Sequence, residues 1–209
     1  MTYDPFRIEG ADRPARWLVT CDHAANTVPP FINGGDLGVA PAAMGRHIAY
    51  DIGADGLASA LATLLMKLYD GSIIPGNARA DAAERERRLD ACYRPYHTAL
   101  AQLAARQEDT IIVSVHSFTP QFRGRPPRPW HVGILYASDE RLSRPLITRL
   151  KAEPDLCIGE NEPYTGALEG DALDRHAIAP GRAHVLIELR NDLIRAPQDQ
   201  TRWAARLAP

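Results

Sequence analysis

The 209-residue sequence is short of lysine, of cysteine and of long apolar runs. Lys67 and Lys151 are its only lysines, so arginine carries nearly all the positive charge, and the formal net charge is −2. That balance excludes the general basic surface of a nucleic-acid binder. Three cysteines, Cys21, Cys92 and Cys157, lie far apart. An odd, sparse set is no disulfide framework, it holds no CxxC zinc spacing, and it fits a reducing compartment. No apolar run approaches the roughly 20 residues of a membrane span. The opening MTYDPFRIEG has neither a basic nor an apolar signal region. The expectation is a cytoplasmic protein with no membrane or nucleic-acid partner. Hydrophobic residues at 45% and charged residues at 24% are ordinary for a globular chain. With no internal repeat or linker, residues 1–209 are expected to form one domain.

What is present is an alternation of strands and helices. ARWLVTCDH (15–23) reads as a short buried strand carrying Trp17, Leu18, Val19 and Cys21. Residues 44–69 read as a long helix, with Ile48, Ile52, Leu57, Leu61, Leu64, Leu65 and Leu68 near helical spacing. Residues 83–107 read as a second helix, with Pro95 implying a kink or boundary near Tyr93. TIIVSV (110–115) is a clear strand that should end at His116, and WHVGILY (130–136) is another. A helix over 139–153, the strand AHVLIELR (183–190) and a closing helix over 200–208 complete the order. RGRPPRP (123–129) reads as a solvated loop. This order predicts an α/β fold, a three-layer α/β/α sandwich around a mostly parallel sheet.

Three of the strands finish on residues that bind metals or move protons. The first leads to Asp22-His23, the second to His116-Ser117, and the last carries Glu188 with Arg190 beyond it. Open parallel sheets form their sites outside the carboxyl ends of the strands. Two imidazoles and a carboxylate would thus meet at one rim. Neutral imidazole is a good zinc ligand, and catalytic zinc commonly takes three protein ligands and a water. A carboxylate beside that water can take its proton and pass it on. Glu188 is the most telling of the three, because a carboxylate inside an apolar run needs a partner.

CDHAANTVP, RHIAYDIGADGLASAL, IPGN, YRPYHTAL, VSVHSFTP, RPWHVGILY, GENEPYTG and HVLIELRNDLI together resemble the N-formylglutamate amidohydrolase family, from about Trp17 to Ile194. The resemblance implies a fold similar to zinc carboxypeptidases and aspartoacylase-type deacylases. It implies hydrolysis of a linear amide in a small acidic N-formyl- or N-acyl-amino acid, using a divalent metal, with zinc the expected ion. It places His23 and His116 as metal ligands and Glu188 as general base. Arg175 and His176 match a polar pair facing substrate, and Arg190 joins Arg175 as a candidate for the substrate carboxylate, with Arg123 or Arg125 behind them.

The sequence departs from the family pattern twice. Carboxypeptidase-like sites carry a glutamate three residues after the first histidine, where this chain has Asn26. The third ligand therefore lies among Asn26, Asp22 and Asp51. Family members also carry a strand and an Asn-Arg pair before IPGN, whereas LLMKLYDGSIIPGN runs straight across here. The rival reading is a small-molecule binding protein that keeps the fold without turnover. His97, His131 and His184 read as structural, and His47 as structural or as a partner orienting a ligand. Cys21 reads as a small buried apolar group.

Overall fold

The computed structural model describes residues 3–23, 26–44, 74–167 and 169–208. The helix expected over 44–69, with Asp51 and His47 in it, lies outside the described residues beyond Met44.

Five strands form one sheet: β1 (Trp17–Thr20), β2 (Ile111–Phe118), β3 (Val132–Leu135), β4 (Ile158–Glu160) and β5 (His184–Arg190). Their spatial order is β1-β2-β5-β3-β4. β1, β2 and β5 run parallel, β3 meets β5 antiparallel, and β3 and β4 are parallel again. The sheet is mixed but mostly parallel. β4 escapes notice in the sequence because three residues centred on Gly159 show no apolar alternation.

Strand pairing gives the sheet two distinct faces, because successive side chains point to opposite sides. On one face Val113, Val185, Ile187, Leu189, Val132 and Ile134 pack under helix α5 (Ser143–Lys151) and helix α6 (Pro197–Leu207), through Ile147, Leu150 and Trp203. On the other, Ile112, Leu186 and Leu135 pack against Ala104 of helix α4 (Arg94–Ala104) and against Leu173 and Ala177. Helices on both faces make the α/β/α sandwich. Two expectations for the strands need correction. β2 continues through His116 to Phe118, because Ser117 and Phe118 keep their register with Leu189 and Arg190. β1 is not wholly buried: Trp17 and Val19 are 52% and 65% exposed, on the strand at the edge of the described sheet.

The expected break near Tyr93 takes a definite form. Helix α3 (Ala82–Arg88) passes into a π-helical turn over Leu89–Tyr93, and α4 begins at Arg94 with Pro95 in its first turn. The Arg94 amide donates to Leu89 O, five residues back, so the wider turn admits the proline ring without breaking the helix. Helices α1 (Pro41–Met44) and α2 (Pro75–Ala78) are short. IPGN leads into α2: Ile74 packs with Ile32 and Leu37, while buried Arg88 donates to Asn77 Oδ1 at 2.7 Å and pairs with Glu84 at 2.8 Å. Among the described residues no helix is long and apolar enough to cross a membrane.

Gly133 fixes what covers the centre of the sheet. It pairs with Glu188, and a Cβ there would stand 2.1 Å from the Glu162 carbonyl oxygen. The segment after β4 therefore lies directly on β3, tied also by Tyr136 N–H to Asn161 Oδ1 at 2.9 Å. Gly133→Ala should destabilise the protein by roughly 1–3 kcal/mol through overpacking. A chain of this length then loses about 2–4 °C of Tm per kcal/mol, measured by thermal denaturation. An unchanged Tm would show that the 160–166 segment is not seated there.

Candidate active site

The site grows from the register between β2 and β5, which sets His116 beside Glu188. Paired residues of neighbouring strands share a face, about 4.8 Å apart. Glu188 is 6% exposed, with His116 on one side of it and Gly133 on the other. His23 follows the end of β1, and β1 is the other neighbour of β2. Its ring meets that of His116 edge-on, with centroids 5.0 Å apart. The structure thus brings His23, His116 and Glu188 to adjoining strands at one end of the sheet.

A second group of residues closes in from α4 and from the π-helical turn over Asp174–Ile178. Buried Tyr96 donates its hydroxyl to Asp22 Oδ1 at 2.5 Å. Burial, then the Asp22 charge, raises the Tyr96 pKa far above the usual phenol range, so the phenol stays a donor. Asp171 accepts the Asp174 amide at 2.6 Å. Burial raises its pKa, the Asp174 amide opposes this, the charges of Asp22 and Asp174 add to it, and His116 counters. Asp171 therefore feels the charges of both Asp22 and His116.

His97 and His176 meet nitrogen to nitrogen, Nδ1 to Nε2, at 2.8 Å, with rings nearly parallel. One donates and the other accepts, so at least one is neutral. Tyr93 lies 4.1 Å from the His97 ring by centroids, one helical turn away, and the Arg175 guanidinium rests 5.5 Å from the Tyr93 ring. Arg175 itself is exposed. Arg190 is already answered: its Nε donates to Asp192 Oδ1 at 2.8 Å. Asn26 is exposed, and its amide nitrogen donates to Met44 O at 2.9 Å. Arg123 and Arg125 are exposed, and Asp51 lies outside the described residues.

Sequence reasoning missed Tyr96 and Asp171 and took His97 for a packing residue. His97 does pack on tyrosines, but it also reaches His176 across the interface. The available signal was local: Tyr93 and His97 stand four apart on one helix face, beside a histidine-bearing turn.

The match to a family model decides what kind of site this is. The model for N-formylglutamate amidohydrolase matches residues 59–195. The chain belongs to the N-formylglutamate amidohydrolase family. Membership makes it a hydrolase acting on amide bonds. It is also similar to two solved structures. One is the gene product Atu2144 from Agrobacterium tumefaciens, 28% identical, with a TM-score of 0.87 over 99% of this chain and 92% of that one. The other is the N-formylglutamate amidohydrolase from Ralstonia eutropha JMP134, 18% identical, with a TM-score of 0.60 over 90% of this chain and 89% of that one. The second likeness is one of fold alone. No curated protein matches the chain.

A divalent ion fits this amidohydrolase site in part. Two imidazoles at 5.0 Å between centroids are close enough to share an ion. Among the described residues no group of three or more His, Cys, Asp or Glu side chains is arranged to hold one. Of the sequence candidates for the third ligand, Asp22 holds Tyr96 and Asn26 is tied to Met44 O.

Burial, then the charges of His176 and Arg175, pushes the His97 pKa down to about 4, with Asp22 opposing. An unfolded histidine titrates near pH 6.5. Between about pH 6.5 and about 4 the unfolded chain therefore binds a proton that folded His97 refuses, and stability falls as pH falls through that window. Above it both states are neutral, and below it both are protonated. The pKa of His176 is lowered too, first by burial and then by Arg175. His97→Gln keeps a hydrogen-bonding side chain and removes this titration. The Tm of the wild type should drop more steeply than that of His97→Gln across the window, and parallel curves would remove His97 from this role.

Proposed function

We propose that this amidohydrolase cleaves the linear amide of an N-formyl- or N-acyl-amino acid, with N-formylglutamate as the reference substrate, and that it depends on a divalent metal, zinc by preference. The observation that carries the reading is the adjacency of His23, His116 and Glu188. His23 and His116 would hold the ion, which supplies a polarised carbonyl and a water of lowered pKa.

The residues of this chain divide the rest of the work. Glu188 takes a proton from the attacking water as the new C–O bond forms. It then gives that proton to the nitrogen as the C–N bond breaks, releasing the acid and the free amine. Its placement between two strands fixes the carboxylate, and the segment packed on Gly133 keeps water from that flank. His176, held by His97 from α4, offers a polar group on the substrate side, with Arg175 beside it.

Glu188→Gln preserves shape and removes the base. kcat should fall by about 10²–10⁴ while metal content, read by elemental analysis, stays unchanged. Loss of the metal instead would make Glu188 a ligand and send the search for the base elsewhere. Full activity in the variant would sink the mechanism. His23→Ala is the complementary test. It should lower the bound metal of protein purified without added ion, because one of the two imidazoles is gone.

A further inference from the structure

The solvated-loop reading of 123–129 fails at one residue. Arg123, Gly124, Arg125, Pro126 and Pro127 are exposed, but Arg128 is half-buried. Its guanidinium lies 3.9 Å from the centroid of the Phe122 ring, 5.2 Å from Tyr164 and 5.6 Å from Phe118. Nη1 donates to Thr119 O and to Tyr164 Oη, both at 3.2 Å. Three aromatic faces and two acceptors leave the cation little rotamer freedom. Among the described residues no carboxylate pairs with it, whereas Arg190 has Asp192, Arg144 has Glu140 and Arg206 has Glu153.

Its position is set by the sheet. Phe118 lies two residues beyond His116 on β2, so both side chains occupy the face that carries Glu188. Tyr164 packs against the hydrophobic cluster on that same face. Phe118, whose ring centroid is 5.6 Å from the guanidinium, lies about 6–7 Å of strand beyond His116. One amino acid bridges such a span, with its amide at Glu188 and a carboxylate further out. Arg128 supplies a planar cation whose orientation is set by three rings and two acceptors.

We propose that Arg128 is the specificity-determining residue that holds a carboxylate of the substrate, with its guanidinium edge facing the site. This rests on the amide-hydrolase reading above. The carboxylate is either the α-carboxylate that every N-acyl amino acid carries or the side-chain carboxylate of a glutamyl substrate. The two call for the same recognition, and substrate analogues separate them.

The test compares N-formylglutamate, N-formylglutamine and the α-amide of N-formylglutamate, using the full-length protein supplied with divalent metal. Arg128→Met should raise KM for N-formylglutamate on the order of 10–100-fold, the worth of a charge-assisted hydrogen bond, with little change in kcat. For one of the two amides the penalty should vanish, and that amide identifies the carboxylate. Arg128→Lys keeps the stem among the rings and the charge, but not the fork, and should fall between wild type and Arg128→Met. An equal penalty on all three compounds, or none, would overturn the proposal and leave Arg128 as packing. If the wild type turns over none of the three, the N-formylglutamate reading of the substrate fails. Calorimetric titration of the same compounds then decides Arg128 separately. Binding that favours the acid and is lost in Arg128→Met supports the anchor. Equal binding of acid and amides, or none, overturns it.

Discussion

Everything at this site hangs on one strand register. His116 pairs with Glu188, and Glu188 pairs across its other edge with Gly133. A one-residue slip of β5 would turn Glu188 away from His116 to the opposite face, under α5 and α6, where the core is aliphatic. A buried carboxylate there would meet only hydrocarbon and cost several kcal/mol. The register is held by its own neighbours in the pattern: Val113, Val185, Ile187 and Leu189 must all reach the same apolar layer. Hydrophobic burial on one face thus fixes the chemistry on the other.

The polar face is covered by residues that balance charge as well as fill space. Asp22 and His116 act with opposite sign on buried Asp171, and Arg175 brings positive charge near His97 and His176. Tyr96 stabilises the Asp22 carboxylate by donating to it, and a phenol with so high a pKa cannot give its proton away. The His97–His176 contact works only with a neutral ring, and burial keeps His97 neutral at ordinary pH. The site therefore separates groups that hold charge from groups that hold position.

Most of the sheet was legible in the sequence because its strands are short apolar runs ending in polar residues of unlike chemistry. Glu188 stood out since a carboxylate amid Val185, Leu186, Ile187 and Leu189 has no structural excuse. The strand end at His116 was misjudged because local apolarity stops there, whereas pairing with β5 carries the strand two residues further. The π-helical turn at Leu89–Tyr93 could be sensed from Pro95, but its form depends on which carbonyl Arg94 finds. Tyr96 and Asp171 were not legible, because their meaning lies in Asp22 and His116, far off in sequence.

Arg128 shows the same limit from the other side. In a stretch as basic and proline-rich as RGRPPRP, composition points to solvent, and it holds for six of the seven residues but not for Arg128. What distinguishes that arginine is its company: Phe118 arrives from β2, Tyr164 from the segment laid over Gly133, and Phe122 from the turn between. None of the three would orient a guanidinium alone. Together they limit it to one plane beside the rim, and orientation is what turns a surface charge into a recognition element. The glycine that lets the 160–166 segment settle on β3 therefore shapes two things at once, the dry flank of Glu188 and the seat of Tyr164.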